Sequence, residues 1–285
     1  MKIETLLANL ALNSDFKDPY GASHFPIYNT ATFDLKKQEG NEKIYDYSRS
    51  DNPTRNALEN IFAKAENGFG CVCTNTGIAA ISVLFETVLK NGDTVLVEND
   101  SYGGTYRLLK VLSEKNNIKT IYTDFTNLNL VEEELKNNEI SLILCESPTN
   151  PSLKIIDLEE IGKLSKKYNT LFAVDNSMAT FVSQKPLDLG ADFSVFSTTK
   201  FISGHGSVTA GAVVSKTKEL HQKVRFFANA YGNAQSPMDV YLTSLGLPTL
   251  VYRMKAQEES ALKIAKFLKN SHQIKSVKFP TLEDF

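Results

Sequence analysis

The sequence contains no tryptophan, only three cysteines and almost no excess of either charge. Its 31 basic and 33 acidic residues leave a formal charge of -2, so the composition gives no sign of binding to nucleic acid or to an anionic membrane surface. No apolar run approaches the roughly 20 residues that cross a bilayer. We therefore expect no membrane span, and a small, weakly charged substrate.

Cysteine and histidine usage argues against disulfides and against a protein-bound metal. Cys71, Cys73 and Cys145 are an odd number on apolar segments, without the spacing of a zinc or redox pair, and the four histidines show no HExxH pattern. We expect buried, reduced thiols and no metal. The opening segment, MKIETLLANLALNS, lacks a clean apolar region with a cleavage site, which predicts a helix rather than a signal peptide and favours a cytoplasmic protein.

The middle of the chain, residues 53–239, alternates short apolar runs with longer amphipathic ones. This pattern is typical of parallel strands joined by crossover helices, so we predict an α/β domain with a mostly parallel, seven-stranded sheet. Helices are predicted between the strands, for example TGIAAISVLFETVLKN and DLEEIGKLSKKYN. The predicted strands are CVCT at 71, TVLVE at 94, KTIYT at 119, SLILCE at 141, LFAVD at 171, FSVFS at 193 and TAGAVVS at 209.

The two ends of the chain depart from this pattern. Residues 1–52 have scattered Pro, Asn, Asp and Tyr, and we interpret them as an arm that packs against another body. Beyond residue 240, RMKAQEESALKIAKFLKNSHQ predicts a long helix and IKSVKF a single strand. Because one strand cannot form a sheet, residues 240–285 are predicted to begin a C-terminal α+β domain that is incomplete.

Polar groups follow five of the predicted strands, and ligands of open parallel sheets bind beyond the carboxyl ends of the strands. Backbone N–H groups at the start of a helix suit a phosphate, and an aromatic ring can cover a planar ligand. In chain order the groups are the N–H groups of Gly77 and Ile78, the ring of Tyr102, the amide of Asn150, the carboxylate of Asp175, the hydroxyls of Ser197 and Thr199, and the amine of Lys200.

Pyridoxal phosphate requires this combination of groups: a lysine for its aldehyde, an acid for its ring nitrogen, a stacking face for its ring, and donors for its phosphate. Asp175 would keep the ring nitrogen protonated and so maintain the electron sink. Each feature taken singly more often has a structural role, as a helix cap or a turn. Their joint occurrence at five strand ends favours the cofactor.

The motif STTKFISGHG resembles the lysine loop of the Cys/Met-metabolism family of pyridoxal phosphate enzymes, the transsulfuration enzymes with the fold of aspartate aminotransferase (fold type I). The resemblance implies that Lys200 is the Schiff-base and catalytic lysine, with Ser197 and Thr199 as phosphate ligands. VDNS, ESPTNP, SYGGTYR and TGI resemble further family motifs. They imply that Asp175 binds the ring nitrogen, Asn150 the phenolic oxygen, Tyr102 stacks on the ring and assists proton transfer, and Gly77 and Ile78 bind the phosphate.

The segment YDYSRSDNPTR resembles the family segment that enters a neighbouring subunit's active site. By this resemblance Tyr47 and Arg49 hold the neighbour's phosphate, which implies a homo-oligomer of at least a dimer, usually a tetramer. Asp46 and Arg107 match positions implicated in substrate binding. Arg107 would meet the distal carboxylate of a succinyl ester, although Ser50 stands where succinyl-using enzymes often carry arginine.

Within the family, YDYSR, TNTG and YGGTYRL look closest to the cystathionine γ-synthases, which implies γ-replacement on an O-acylhomoserine with cysteine. A cystathionine β- or γ-lyase, or an O-acetylhomoserine sulfhydrylase, is the alternative. Family members continue through a C-terminal domain that holds the arginine for the substrate's α-carboxylate. A third interpretation is therefore a shortened, catalytically weak subunit that binds the cofactor. Two further departures are Gly104, where methionine γ-lyases usually have cysteine, and Ser207, where the family usually has aspartate.

Overall fold

The strands of the protein form one sheet, seen in a computed structural model that describes residues 1–16, 18–38, 40 and 44–282. They are β1 Gly70–Thr74, β2 Thr94–Glu98, β3 Lys119–Thr123, β4 Leu142–Glu146, β5 Leu171–Asp175, β6 Phe193–Phe196 and β7 Gly211–Ser215. Their order is β1-β7-β6-β5-β4-β2-β3. β7 runs antiparallel to β1 and β6, and every other adjacent pair is parallel. The predicted seven-stranded, mostly parallel sheet is confirmed.

Helices connect the strands, and polar caps mark where several of them begin. Thr76, for example, accepts the N–H of Ala79 at 3.0 Å and so fixes the start of the helix after β1. Short 3₁₀ helices cover Leu35–Gln38 and Leu247–Thr249. The α-helices are α1 Ile3–Ala8, α2 Leu10–Asn13, α3 Pro53–Ala65, α4 Gly77–Val88, α5 Gly103–Asn116, α6 Leu128–Asn137, α7 Leu158–Lys167, α8 Thr180–Ser183, α9 Lys218–Tyr231, α10 Pro237–Ser244 and α11 Leu250–Lys269.

Helices cover both faces of the sheet, which explains why its central strands are mostly apolar. On β1, Cys71 and Cys73 belong to the core that includes Phe62 of α3, whereas Val72 belongs to the core that includes Leu84 of α4. All three cysteines are buried and free, as predicted.

The direction of the strands brings the predicted site residues to one edge. β1 and β6 both run antiparallel to β7, so they share a direction, and β2, β4 and β5 run parallel to β6 through adjacent pairs. The carboxyl ends of these five strands therefore meet at the same edge of the sheet.

The two ends of the chain differ in part from the predictions. Leu7 and Phe25 are buried in the core on one face of the sheet, so parts of the predicted arm pack on their own chain, whereas Tyr20 is 94% exposed. The predicted long helix is α11. The prediction of a strand at IKSVKF, residues 274–279, is wrong: this segment forms no ladder with any described residue, and without a partner, alternation of side chains does not make a strand. No described helix is long and apolar enough to cross a membrane.

Candidate active site

A cavity of about 670 Å³ opens at the carboxyl edge of the sheet. It gathers the residues that follow β1, β2, β4, β5 and β6, together with two side chains from α11. Eight predicted site residues line it: Gly77, Ile78, Tyr102, Asn150, Asp175, Ser197, Thr199 and Lys200.

The start of α4 forms one end of this cavity, and its close contact with Ser197 requires glycine. A Cβ built on Gly77 would lie 2.6 Å from Cβ and 2.7 Å from Oγ of Ser197, a distance that packed atoms do not adopt. The N–H groups of a first helical turn have no intrahelical acceptor and carry the positive end of the helix dipole. Together with the adjacent Ser197 hydroxyl, these N–H groups suit a phosphate.

The lysine loop, residues 197–210, is closed at its base by one threonine. The Thr199 hydroxyl donates to the Ala210 carbonyl at 3.0 Å and accepts the Ala210 N–H at 2.8 Å. Because its single proton is used in this way, the Thr199 hydroxyl holds the loop rather than pointing a free donor at the cavity. Lys200 is exposed in the cavity, and its amine forms no ion pair or hydrogen bond with the described residues.

Asp175, the last residue of β5, is half-buried and faces the cavity. Its Oδ1 accepts the N–H of Ser177 at 3.0 Å and the hydroxyl of Ser177 at 2.5 Å. Ser177 Oγ in turn accepts the N–H of Ser197 at 2.6 Å. Burial raises the pKa of Asp175, and the Ser177 donors oppose that rise by stabilising the carboxylate.

Glu146 ends β4 and lies beside Asp175, its register partner on β5. It is buried, with 7% of its surface exposed, and lines the cavity. Its carboxyl oxygens accept the N–H of Tyr102 at 2.8 Å and the N–H of Asn150 at 3.2 Å. Burial, and then the negative charge of Asp175, raise the pKa of Glu146 to about 8.

Three further residues belong to this site. Glu146 ends a predicted strand, as Asp175 does, and its carboxylate has the same sequence signal. Ser177 lies within the VDNS motif. Arg253 of α11 lines the cavity and donates to the carbonyls of Phe201 and Ile202 at 2.7 and 3.3 Å, a contact that no local pattern predicts.

Four predicted site residues do not line this cavity. Arg49 bonds the carbonyl and side-chain oxygens of Asn229 on α9 at 2.6 and 2.9 Å, with its guanidinium 5.5 Å from the ring centre of Tyr47. Asp46 is exposed beside them. Arg107 is exposed on α5, with its Nη1 3.6 Å from the position of a Cβ built on Gly103.

The groups that line the cavity fit pyridoxal phosphate. Bare helix N–H groups and a serine hydroxyl stand at one end, a carboxylate held by two donors stands at the end of β5, and an unpaired amine faces the same space. These are the donor for a phosphate, the acceptor for a protonated ring nitrogen, and the nucleophile for an aldehyde.

Comparison with known proteins gives the same class. A profile described as Cys/Met metabolism PLP-dependent enzyme matches residues 4–285. A cystathionine gamma-synthase of Haemophilus influenzae is 39% identical over 98% of this chain and 74% of its own length. A cystathionine beta-lyase of Lactococcus lactis is 39% identical over 92% of this chain and 68% of its own length.

A solved structure is also similar to this chain in sequence and in fold. The cystathionine gamma synthase of Xanthomonas oryzae, in complex with aminoacrylate and cysteine, superimposes with a TM-score of 0.93 at 39% identity and covers 99% of this chain and 72% of that chain. The fold is thus that of a fold-type-I pyridoxal phosphate enzyme. The chain belongs to the Cys/Met metabolism family of PLP-dependent enzymes, which includes cystathionine γ-synthases, β-lyases and γ-lyases.

Proposed function

We propose that this enzyme catalyses γ-replacement, in which the sulfur of cysteine displaces the acyloxy group of an O-acylhomoserine. The observation that carries the proposal is the position of Arg107. Its guanidinium lies against the first turn of α5, beside Gly103 and next in the chain to Tyr102, which lines the cavity. A cation and a helix N-terminus at the same place both favour an anion, such as the distal carboxylate of a succinyl ester.

The residues that line the cavity have complementary roles in this proposal. Lys200 would bond to the cofactor aldehyde, Asp175 would pair with the ring nitrogen, Tyr102 would stack on the ring and Asn150 would meet the phenolic oxygen. Gly77, Ile78 and Ser197 would bind the phosphate, and Thr199 would fix the loop that carries Lys200. Supporting observations are their common cavity and the two Ser177 donors that favour the ionised form of Asp175.

When bound, pyridoxal phosphate supplies an electron sink for the charge that develops at the substrate's Cα. Once the substrate's amine has taken its place at the aldehyde, the freed amine of Lys200 would remove the proton at Cα and move a proton at Cβ. The γ-acyloxy group would then leave as a carboxylate, and the thiol of cysteine would add at Cγ. The Tyr102 hydroxyl assists these transfers. Arg107, at the start of α5 outside the cavity, would meet the distal end of the substrate, and Asp46, beside Tyr47 and Arg49, would meet the substrate of a second copy.

Arg49 and Tyr47 are proposed to serve a second copy of the chain, so that the working enzyme is at least a dimer. In support, both lie outside their own cavity and are exposed, and Arg49 is braced by Asn229. A cation held at the surface in this way suits the phosphate of a neighbour.

A lyase that cleaves cystathionine is the second candidate, because the Lactococcus lactis β-lyase is as similar to this chain as the Haemophilus influenzae γ-synthase. Two assays separate them: cysteine-dependent consumption of O-succinyl- and O-acetylhomoserine, and release of ammonia and keto acid from cystathionine alone. We expect cysteine-dependent consumption of the esters to dominate.

Arg107→Ala should raise KM about tenfold for the succinyl ester and less for the acetyl ester. Turnover of cystathionine alone would reject the synthase.

A further inference from the structure

Glu146 connects two parts of the site that come from different strands. Tyr102 precedes α5 after β2, and Asn150 lies in the loop after β4, yet the backbone N–H groups of both donate to the one Glu146 carboxyl group, at 2.8 and 3.2 Å. Asp100 also joins the loops after β2 and β4, because its Oδ2 accepts the Thr149 hydroxyl at 2.5 Å and the Ser152 N–H at 3.2 Å. Among the described side chains, however, only Glu146 bonds the N–H groups of Tyr102 and Asn150 themselves, so it helps to set the separation between the aromatic ring and the amide.

Glu146 and Asp175 also form a pair of adjacent carboxyl groups. They are register partners on parallel strands and line the same cavity. Among the described residues, neither forms an ion pair with a lysine, arginine or histidine. Two like charges held side by side, and partly removed from water, disfavour each other, so one of the two groups retains a proton more readily.

The donors around the pair decide which group keeps the proton. Asp175 accepts a hydroxyl and an N–H from Ser177, and these donors favour its ionised form. Glu146 is the more buried of the two and accepts only two backbone N–H groups. The proton therefore resides on Glu146 near neutral pH.

We propose that Glu146 is a positioning residue for the pyridoxal phosphate ring, and that it releases its proton to solvent when the protonated ring nitrogen binds beside Asp175. The inference rests on the proposed role of Asp175 but not on the reaction that the enzyme catalyses. A positive charge beside Asp175 cancels the repulsion that held the proton on Glu146. In the complex Glu146 is then a carboxylate, and its bonds to the two N–H groups become stronger.

Further titratable groups lie near Glu146. Asp100, in the loop after β2, adds a negative charge that works in the same direction as Asp175. Cys145 precedes Glu146 on β4, and its buried thiol has a raised pKa, so it stays neutral. Lys200 and Arg253 line the same cavity.

Calorimetry of pyridoxal phosphate binding to the cofactor-free protein tests this inference. The heat measured in two buffers of different ionisation enthalpy gives the number of protons exchanged. Near neutral pH we expect the wild type to release about one proton more than Glu146→Gln, which has no proton to lose. Well above the pKa of Glu146 the two proteins should exchange equal numbers. Equal numbers at neutral pH would overturn the proposed proton release.

Two further variants separate positioning from protonation. Glu146→Asp keeps the titrating group but is too short to reach both N–H groups, so we expect it to retain the proton release while binding the cofactor about tenfold more weakly. Glu98→Gln is the control for a buried carboxyl group at a strand end. Glu98 is the last residue of β2, is fully buried, and accepts the N–H groups of Asp100 and Phe125. Unlike Glu146 it is ion-paired, with Lys154 Nζ at 3.0 Å, and it does not line the cavity.

The control should match the wild type in its proton count, and its visible spectrum with bound cofactor should be unchanged. If Glu98→Gln lost the proton difference as Glu146→Gln does, the effect would come from general loosening of the strand ends, and the proposal would be wrong. A protein that lacks γ-replacement activity yet shows the proton difference would reject only the proposed reaction.

Discussion

A methyl group built on Gly104 would lie 2.3 Å from Cε1 of Tyr102, so the ring occupies space that any side chain at position 104 would fill. The residue that faces the cavity is thus placed by a glycine two positions along the chain. In SYGGTYR, the contact with Tyr102 therefore requires glycine at position 104. Position 103 has no such requirement.

The first prediction concerns this glycine. Gly104→Ala should displace the Tyr102 ring, change the visible absorbance of the bound cofactor and lower kcat/KM about tenfold, because stacking on the ring depends on its position. Gly103→Ala is the control, since its built Cβ meets only Arg107 Nη1, at 3.6 Å. Similar effects from both substitutions would show that the turn, rather than the ring, is being perturbed.

Lys200 gives the second prediction. Lys200→Ala should abolish the visible absorbance band of the protein-bound cofactor and reduce turnover by at least about a thousandfold, because the variant loses both the covalent attachment and the proton-transferring amine. Lys163→Ala, at an exposed residue of α7 paired with Glu159 and Glu160, should change neither. Persistence of the band in Lys200→Ala would move the attachment to another amine.

Subunit exchange tests the proposed role of Arg49. Arg49→Ala and Lys200→Ala should each be nearly inactive, but a refolded mixture should regain activity. If Arg49 serves the neighbour's site, a hybrid dimer contains one site with both defects and one with neither. About half of the dimers in a random mixture are hybrids, each with one intact site of two, so about a quarter of wild-type activity is expected. A mixture no more active than its components would place Arg49 in its own subunit's site.

Arg253 anchors the lysine loop, and its replacement gives the fourth prediction. Its guanidinium donates to the carbonyls of Phe201, Ile202 and Gly246. Arg253→Lys cannot reproduce this fork, so we expect faster cofactor dissociation and a loss of about 1–3 kcal/mol in the free energy of unfolding. Thr249→Ala removes the bond from Arg253 Nε and the hydroxyl's own bond to the Gly246 carbonyl at 3.3 Å, but keeps the three guanidinium contacts, so it should leave cofactor dissociation unchanged.

Glu66 gives a prediction about pH. Burial raises the pKa of Glu66 to about 8, against the opposing charge of Lys185, and neither of its carboxyl oxygens accepts a hydrogen bond from a described residue. A carboxyl group whose pKa is higher in the folded state stabilises the fold below its unfolded pKa and loses that contribution as pH rises through the folded value. The free energy of unfolding should therefore fall between about pH 4.5 and pH 8.

Glu66→Gln should flatten that part of the pH profile and be more stable than the wild type above pH 8, by on the order of 1–3 kcal/mol. Denaturant unfolding across this range, with Glu86→Gln on α4 as a control, measures the difference. Parallel profiles for wild type and Glu66→Gln would show that Glu66 remains ionised in the fold.

The sheet and most of its ligand-facing residues were predictable because their signals are local. A strand covered on both faces reads as an apolar run, and a polar residue directly after it needs no tertiary information. Arg253 was not predictable, since it lies 52 residues along the chain from Phe201 and the contact depends on how α11 packs. The strand predicted at IKSVKF is absent because a strand needs a hydrogen-bonded partner, and an alternating local pattern gives no information about one.

The paired bonds between Thr199 and Ala210 have a consequence for how such a site can change over time. They fix the point from which the amine of Lys200 extends, while Ser207 stands further out and is exposed. Substitutions in the exposed part of the loop can thus alter how ligands reach the cavity without shifting the amine of Lys200. Ser207 thus lies in the exposed part of the loop, whereas the position of Lys200 is fixed by the base of the loop.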